Sequence, residues 1–554
     1  MPSRQRCGRS GQITYRNMAE KSSRHLSWRI GTLSPLGGLL PLLLAAPNGA
    51  RAQEGPNIVL FLVDDMGLMD TSVPFLTERS GQAVRYPLNE WYRTPSMERL
   101  AGQGTRFSQF YAQGVSSPSR ASLMTGQDAA RHRVTNWIRS EKNNRDDYGP
   151  YDWNWEGLHR NDPTLPRVLK EDGYRTIHVG KAHFGPFGSE GEWPENLGFD
   201  INIAGSSIGE PGSYFGENGY GLIRGRRARA VPGLEKYHGT DTFLTEALTL
   251  EAKAQIDTAV AAGRPFFLYL SHYAVHNPFE TDPRFAAHYQ DTAFSKAARG
   301  YATLIEGMDQ SLGDILDHLE KTGIAENTLV VFLGDNGSDA PLGDAKDIAS
   351  SAPLRGKKGA EFEGGTRVPC IIAWARPDEE NPWQKRFPIR RGVISPRVGT
   401  IMDIYPTLVG AVGGAPVPPD YPCDGRSLQP ILGGRKDTQR AEDQFLCHFP
   451  HQHRGSYFTT WRHGNWKLIY YYHPEQPDAP HCSLFNLRKD PSESRDVLRW
   501  HRRIARRLLR EMTDRLESEN ACYPVDSLGQ SLRPRPDAYR TSVRNGHMGR
   551  PSEL

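Results

Sequence analysis

Asn57-Ile58-Val59-Leu60-Phe61-Leu62-Val63-Asp64-Asp65 is a short apolar run, rich in β-branched and aromatic side chains, that stops at two adjacent carboxylates. Such a run reads as a β-strand. Residues 176–179, 266–270, 328–333 and 368–374 are of the same kind, each bounded by Gly, Pro or polar residues. Longer amphipathic or mixed segments lie between them, with helix candidates at 96–102, 165–172, 243–262, 295–322 and 401–412. Strands alternating with helices predict an α/β protein with a doubly wound sheet. Residues 140–156, rich in Asn, Asp, Tyr and Trp, read as a long surface loop.

The chain has 554 residues, 37% hydrophobic and 24% charged, ordinary for a globular protein and too long for one small core. Its formal net charge of +4 is spread among nearly as many acids as bases, and no basic stripe points to nucleic acid. Residues 1–52 differ in texture. Seven basic residues, Arg4 to Arg29, precede an apolar run over 33–46 and the small-x-small site Ala50-Arg51-Ala52, the pattern of a secretory signal, with Met18 the more natural start. Export machinery and a periplasmic or extracellular location follow. An uncleaved anchor is the alternative, although Pro35, Gly37, Gly38 and Pro41 break the run and it is short for a bilayer span.

Residues 53–443 are expected to form the catalytic domain. Near Gln444 the pattern changes: 457–462, 466–472 and 483–487 read as antiparallel strands and 494–519 as a strongly basic helix, so 444–523 form a smaller unit. Residues 524–554 are polar and expected to be loosely ordered. Cys7 falls in the signal, Cys370 sits in an apolar run, and Cys423, Cys447, Cys482 and Cys522 are close enough in sequence to bridge, with no pairing legible.

Ligands in open α/β sheets sit beyond the carboxyl ends of the strands. There stand Asp64-Asp65, Gly180-Lys181-Ala182-His183, Ser271 to His276 and Gly334-Asp335-Asn336-Gly337. Asp64, Asp65, Asp335 and Asn336 form an oxygen-donor set that suits a hard divalent cation such as Ca²⁺ or Mg²⁺, although each pair alone is an ordinary turn or cap signal. Lys181 and His183 share one face of an extended chain, a cation beside an imidazole for anion binding and proton transfer. His272 and His276 do not make a helical zinc site, and His276, at a loop tip, is the better ligand candidate. Lys357-Lys358 lie between Gly356 and Gly359, which allow close backbone approach to a ligand. Val115 to Gly126 packs hydroxyls, Pro118 at a first helical position and Arg120 into one turn that suits an anion. His132, Asn136, Trp137, His448, His451 and His453 are candidates for a sugar-facing rim.

Ser116-Ser117-Pro118-Ser119-Arg120, continued by Ala121 to Gly126, resembles the maturation motif of the type I, formylglycine-dependent sulfatase family of the alkaline phosphatase superfamily. The other strand-end motifs follow in the family's order, as do 403–408, 424–428, 464–469 and 484–487, so the resemblance runs from about Asn57 to Asn520. It implies an alkaline phosphatase-like α/β/α sandwich with a large mixed, mostly parallel sheet, plus a smaller C-terminal antiparallel sheet with one helix. It also implies a sulfuric ester hydrolase in which Ser116 becomes formylglycine and its hydrated aldehyde is the nucleophile. Asp64, Asp65, Asp335 and Asn336 would hold one Ca²⁺ (Mg²⁺ second), with residue 116 in its shell. Arg120 would orient the nucleophile, Lys181, His276 and Lys358 would hold sulfate, and His183 would support the hydrate. Serine in place of cysteine implies a bacterial member matured by a radical enzyme. An exported enzyme with this pocket is expected to act on a sulfated polysaccharide or oligosaccharide. A formylglycine-dependent phosphonate or phosphate ester hydrolase and a catalytically dead glycan-binding protein are the alternatives.

Overall fold

The computed structural model describes residues 55–413, 420–436, 443–455, 457–474 and 479–540. The secretory-signal expectation for residues 1–52 and the last part of the expected tail, 541–554, lie outside them. The main sheet contains β1 (Asn57–Val63), β2 (Gly104–Tyr111), β3 (Arg175–Gly180), β4 (Ile201–Ile203), β5 (Phe266–His272), β6 (Thr328–Gly334), β7 (Cys370–Trp374) and β8 (Val393–Thr400). Their order is β4-β3-β5-β1-β6-β7-β2-β8. From β4 to β6 all neighbours are parallel; β7 runs antiparallel to β6 and β2, and β2 and β8 are parallel again. The sheet is mixed and mostly parallel, as the family resemblance implies. The run expected at 368–374 enters two residues late, since Pro369 has no N–H for the ladder.

β1 lies at the centre and is buried on both faces. Ile58, Leu60 and Leu62 join one core with the helices Ser116–Thr125, Leu165–Glu171 and Ile404–Val412; Val59, Phe61 and Val63 join the other with Pro95–Gln103, Leu244–Ala261 and Lys296–Lys321. This two-sided burial explains why β1 shows no polar alternation. At about 1.5–3 kcal/mol for each large apolar side chain, it supplies the stability needed to keep a group of buried charges at the strand's carboxyl end. The long helix opens where Ser295 Oγ accepts from Ala298 N at 3.1 Å, and the other long helices keep their expected positions to within a residue or so, with 401–403 forming a 3₁₀ turn.

A second sheet, ordered β12-β11-β10-β9, is antiparallel and comprises β9 (Gln444–Phe449), β10 (Phe458–His463), β11 (Trp466–Tyr471) and β12 (Cys482–Asn486). Alternation divides its faces: Phe445, Cys447 and Phe449 pack on the main core, whereas Leu446, Trp461 and Leu468 meet the helix Arg502–Ser518. That helix starts eight residues later than 494–519 predicts. Asp490 accepts from Ser494 N and Arg495 N, and Asp496 from Leu484 N and Leu498 N, so carboxylates hold the preceding segment in turns.

The two sheets also share a buried ionic network. Glu363 accepts from Tyr111 OH at 2.6 Å and lies 3.2 Å from Lys467 Nζ, which is 2.8 Å from Glu493; Arg462 binds Tyr111 OH. Residues 524–540 pack on the fold rather than forming the loose segment expected there: Val525 bridges to Ser531, and Ala538 and Tyr539 are buried in the helix-side core. Cys370, Cys423, Cys447, Cys482 and Cys522 are all free thiols, so the bridges that their clustering allowed do not form.

Candidate active site

The helix Ser116–Thr125 brings its first turn to the carboxyl edge of the sheet, beside the ends of β1, β3 and β6. Val115 is extended, and Gly126, at φ +69°, closes the helix with its N–H on Ser122 O. Pro118 is the third helical residue rather than the first, at a place where no intrahelical N–H is needed. Ser119 Oγ accepts from Gln113 N at 2.9 Å and pins the turn. All ten residues of this helix are buried, which is why its polar side chains face an internal cluster rather than water.

Ser116 Oγ lies 2.9 Å from Asp64 Oδ1, 3.2 Å from Asn336 Oδ1 and 3.3 Å from Lys181 Nζ. Oxygens of Asp64, Asp65 and Asp335 lie within 4.8 Å of one another, and all three residues are fully buried. Asn336 Nδ2 donates to Asp65 Oδ1 at 2.9 Å, which leaves its Oδ1 turned to Ser116. The carboxylates are balanced by three cations. Arg120 donates Nε and Nη2 to Asp335 Oδ2 at 3.0 and 2.9 Å and Nη1 to Ser271 Oγ at 2.7 Å; Lys181 Nζ is 2.6 Å from Asp64, and Lys358 Nζ 2.7 Å from Asp65.

Titration follows these contacts. Burial, then the neighbouring Asp64, pushes the Asp335 carboxyl up to about 6. Burial also acts on Asp65, but Lys358, His276 and Lys181 together hold it well below the usual carboxylate range. Burial acts to lower Lys358, but Asp65, Asp339 and Asp64 together raise it to about 12. His276 is lowered to about 4 by burial and then by Lys358, and His183 is held neutral by burial and Lys181. Asp65 and His183 both adopt left-handed backbone, at φ +60° and +56°, a strain of roughly 1–3 kcal/mol each that the packed surroundings hold in place.

Three carboxylates and an amide oxygen, without sulfur or imidazole, fit a hard cation such as Ca²⁺. The charges agree: the three acids and three bases balance, so a divalent ion would leave the site positive, as an anionic substrate requires.

A cavity of about 270 Å³ opens above Ser116, with Lys181, His183, His276 and Lys358 around its base. Lys181 and His183 both reach it, although His183 leaves the extended path and binds Ile138 O through Nε2 at 2.7 Å. Of the rim candidates, Trp137 and His453 line the cavity. The others do not. His132 is half-buried between Ser122 Oγ (3.0 Å) and Val134 N; His448 bridges Thr459 Oγ1 (2.8 Å) and Cys522 O (2.7 Å); His451 binds Thr135 Oγ1 (2.9 Å); and Asn136 is buried, capping Trp137 N. These polar rings are held inside by hydrogen bonds, which composition alone does not disclose. Wall residues that the sequence did not single out include the charged Glu210, Arg229, Asp339 and Arg454. Arg454 forks onto both oxygens of Asp339, a pairing of residues 115 positions apart that no local motif signals.

Residues 56–415 match the protein-family model described as Sulfatase. The chain belongs to the sulfatase family. It is therefore a hydrolase of sulfate esters, with an acidic Asp64, Asp65, Asp335 cluster of the kind that holds the family's metal. Among curated proteins, this sulfatase is 29% identical over 528 residues to a "Sulfatase" of Formosa agariphila, covering 84% of this chain and 88% of that protein. It is 32% identical over 421 residues to the N-acetylgalactosamine-6-sulfatase of Canis lupus familiaris, covering 73% and 70%. Among solved structures, Ps i-CgsB superposes with a TM-score of 0.64 at 25% identity, covering 84% of this chain and 93% of that one.

Proposed function

We propose that this sulfatase is exported and removes sulfate from a sulfated polysaccharide or oligosaccharide, using formylglycine derived from Ser116 and one Ca²⁺ held by Asp64, Asp65, Asp335, Asn336 and residue 116. The observation that carries the reading is the position of Ser116 Oγ, between Asp64, Asn336 and Lys181 at the base of a polar-walled cavity. The sugar assignment is supported by the relatives: one is named for N-acetylgalactosamine 6-sulfate, and Ps i-CgsB has been solved with k-i-k-neocarrahexaose.

A serine-type radical maturase would remove two electrons and two protons from the Ser116 Cβ–OH, passing the electrons to its own acceptor. Once formed, the hydrated aldehyde would supply a nucleophilic oxygen and a second hydroxyl for sulfate release, and a cation held by Asp64, Asp65, Asp335 and Asn336 would lower the proton affinity of that oxygen. The chain's own groups do the rest. Arg120 fixes Asp335 and the helix start that carries residue 116. Lys181 and Lys358 neutralise sulfate oxygens, and their present partners Asp64 and Asp65 keep both side chains aimed inward. His183, neutral and anchored on Ile138 O, accepts a proton as sulfate departs. His276 binds sulfate and protonates the leaving alcohol, the ester's negative charge opposing the shift that keeps it neutral in the free site.

The test is turnover by the matured protein on defined sulfated sugars, with phosphate and phosphonate monoesters in parallel, in Ca²⁺ and after chelation. Sulfate release that depends on Ca²⁺ is expected. Turnover of the phosphorus esters alone, or a rate indifferent to chelation, would overturn the reading.

A further inference from the structure

Charge is nearly balanced over the whole chain, yet the fold gathers arginines on one face that shares no residue with the catalytic cavity. In the helix Arg502–Ser518, Leu508, Leu509, Met512 and Leu516 pack on the four-stranded sheet, and Arg502, Arg503, Arg506, Arg507 and Arg510 are exposed. Among the described residues, Glu511, 3.7 Å from Arg507, is the acid in ion-pair reach of these five. The first turn contains no acid. Cations therefore crowd the positive end of the helix dipole, and like charges stand four apart at 502/506, 503/507 and 506/510, arrangements that weaken a helix. A helix that carries these costs with one ion pair to offset them among the described residues is organised around something other than its own stability.

The strip continues towards the chain's preceding turn, where Arg499 and Arg495 lie over the ring of Trp500 at 3.7 and 4.9 Å and Trp500 is 49% exposed. Beside the helix runs a groove of about 890 Å³ walled by Arg503, Arg506 and Arg510 on one side and by Tyr539 and Arg540 of the ordered tail on the other. Asp514 and Glu517 reach the same groove from the next two turns and Asp537 from the tail. The face lies on the side of the sheet opposite the main core, since Leu446 and Leu468 point to the helix while Phe445 and Ile469 point to the core.

We propose that this face binds a strand of sulfated polysaccharide outside the catalytic cavity and keeps a polymeric substrate on the enzyme between turnovers, an inference that rests on reading the substrate as a sulfated glycan. Guanidinium forks pair bidentately with tetrahedral oxyanions as they do with carboxylates. From Arg502 to Arg510 the strip extends about 12 Å along the helix, which suits a chain of repeated anions better than a single ion. The half-exposed indole of Trp500, with Arg499 and Arg495 over its ring, holds two further guanidiniums in the strip. A bilayer would call for more apolar surface than Trp500 provides.

The test compares the full-length protein with Ser116 unmodified against R502Q/R503Q/R506Q/R510Q, glutamine preserving helix propensity. Binding is measured to immobilised dextran sulfate, with dextran, double-stranded DNA and phosphatidylglycerol vesicles alongside. The wild type is expected to bind dextran sulfate in a salt-sensitive manner and the variant to bind it about tenfold more weakly or worse, with no binding of dextran. The variant's Tm should equal or exceed that of the wild type because like-charge repulsion is removed, and after maturation its turnover of a small aryl sulfate should be unchanged. Equal affinities for dextran sulfate, or tighter binding of DNA or vesicles than of dextran sulfate, would overturn the proposal. Because binding is read on unmodified protein, a failure here leaves the sulfatase reading standing, and an inactive enzyme that still binds through these arginines strikes that reading alone.

Discussion

Arg120 shows how single residues hold this site together. It is fully buried, and its fork joins Asp335 to Ser271 while lying 3.5 Å from Asp64. Arg120→Met leaves two buried carboxylates short of a cation, and a loss of about 3–5 kcal/mol of stability is expected. Saturating Ca²⁺ should return part of it, because a cation that binds the folded state alone stabilises it. Urea unfolding of the variant with and without Ca²⁺ checks both statements. Ser116→Ala removes little packing, so the fold should persist while sulfate release drops on the order of 10⁴-fold or more relative to the matured wild type, both proteins being co-expressed with the maturase. Asp64, Asp65, Lys181, Asp335 and Asn336 were legible in the sequence because each directly follows a strand. Glu210, Asp339 and Arg454 were not, because they occupy irregular segments whose mutual approach only the fold determines.

At the scale of elements, the C-terminal sheet makes a pH prediction. Burial lowers His448 from 6.5 to about 4, and its two nitrogens are engaged by Thr459 and Cys522. A histidine depressed in the folded state stabilises fully above its unfolded value and loses that contribution as pH falls through the folded one. Between about pH 6.5 and 4 the unfolded chain therefore binds one more proton at this residue, a slope of about 1.4 kcal/mol per pH unit. His448→Gln should lower the acid-side slope of unfolding free energy by that amount, read from urea titrations across this range. Elements with continuous apolar runs, such as β1 and β6, are plain in the sequence. β8 is not: Pro396 interrupts it, which an edge strand tolerates because one side of its ladder has no partner. β2 was missed as well, for Arg106 and Gln109 break its apolar pattern while the chain between them is buried.

For the whole molecule, the network of Glu363, Lys467, Glu493, Tyr111 and Arg462 ties the second sheet to the first. Lys467→Met should leave Glu363 and Glu493 uncompensated and cost about 3–5 kcal/mol. Since Phe445, Phe458 and Ile469 share one core with β1, the variant should still unfold in a single transition at lower denaturant, seen alike by tryptophan fluorescence and far-UV circular dichroism. The same joint sets His453 and Arg454, carried between β9 and β10, into the wall of the catalytic cavity. The most direct test of the account is a paired measurement on protein co-expressed with a serine-type radical maturase: the mass of the peptide bearing residue 116, and sulfate released from sulfated sugars in Ca²⁺. The peptide is expected to lose the mass of two hydrogens, with release rising in proportion to the modified fraction. A fully modified, folded, Ca²⁺-loaded protein that releases no sulfate, or an unmodified one that releases it equally fast, would contradict it.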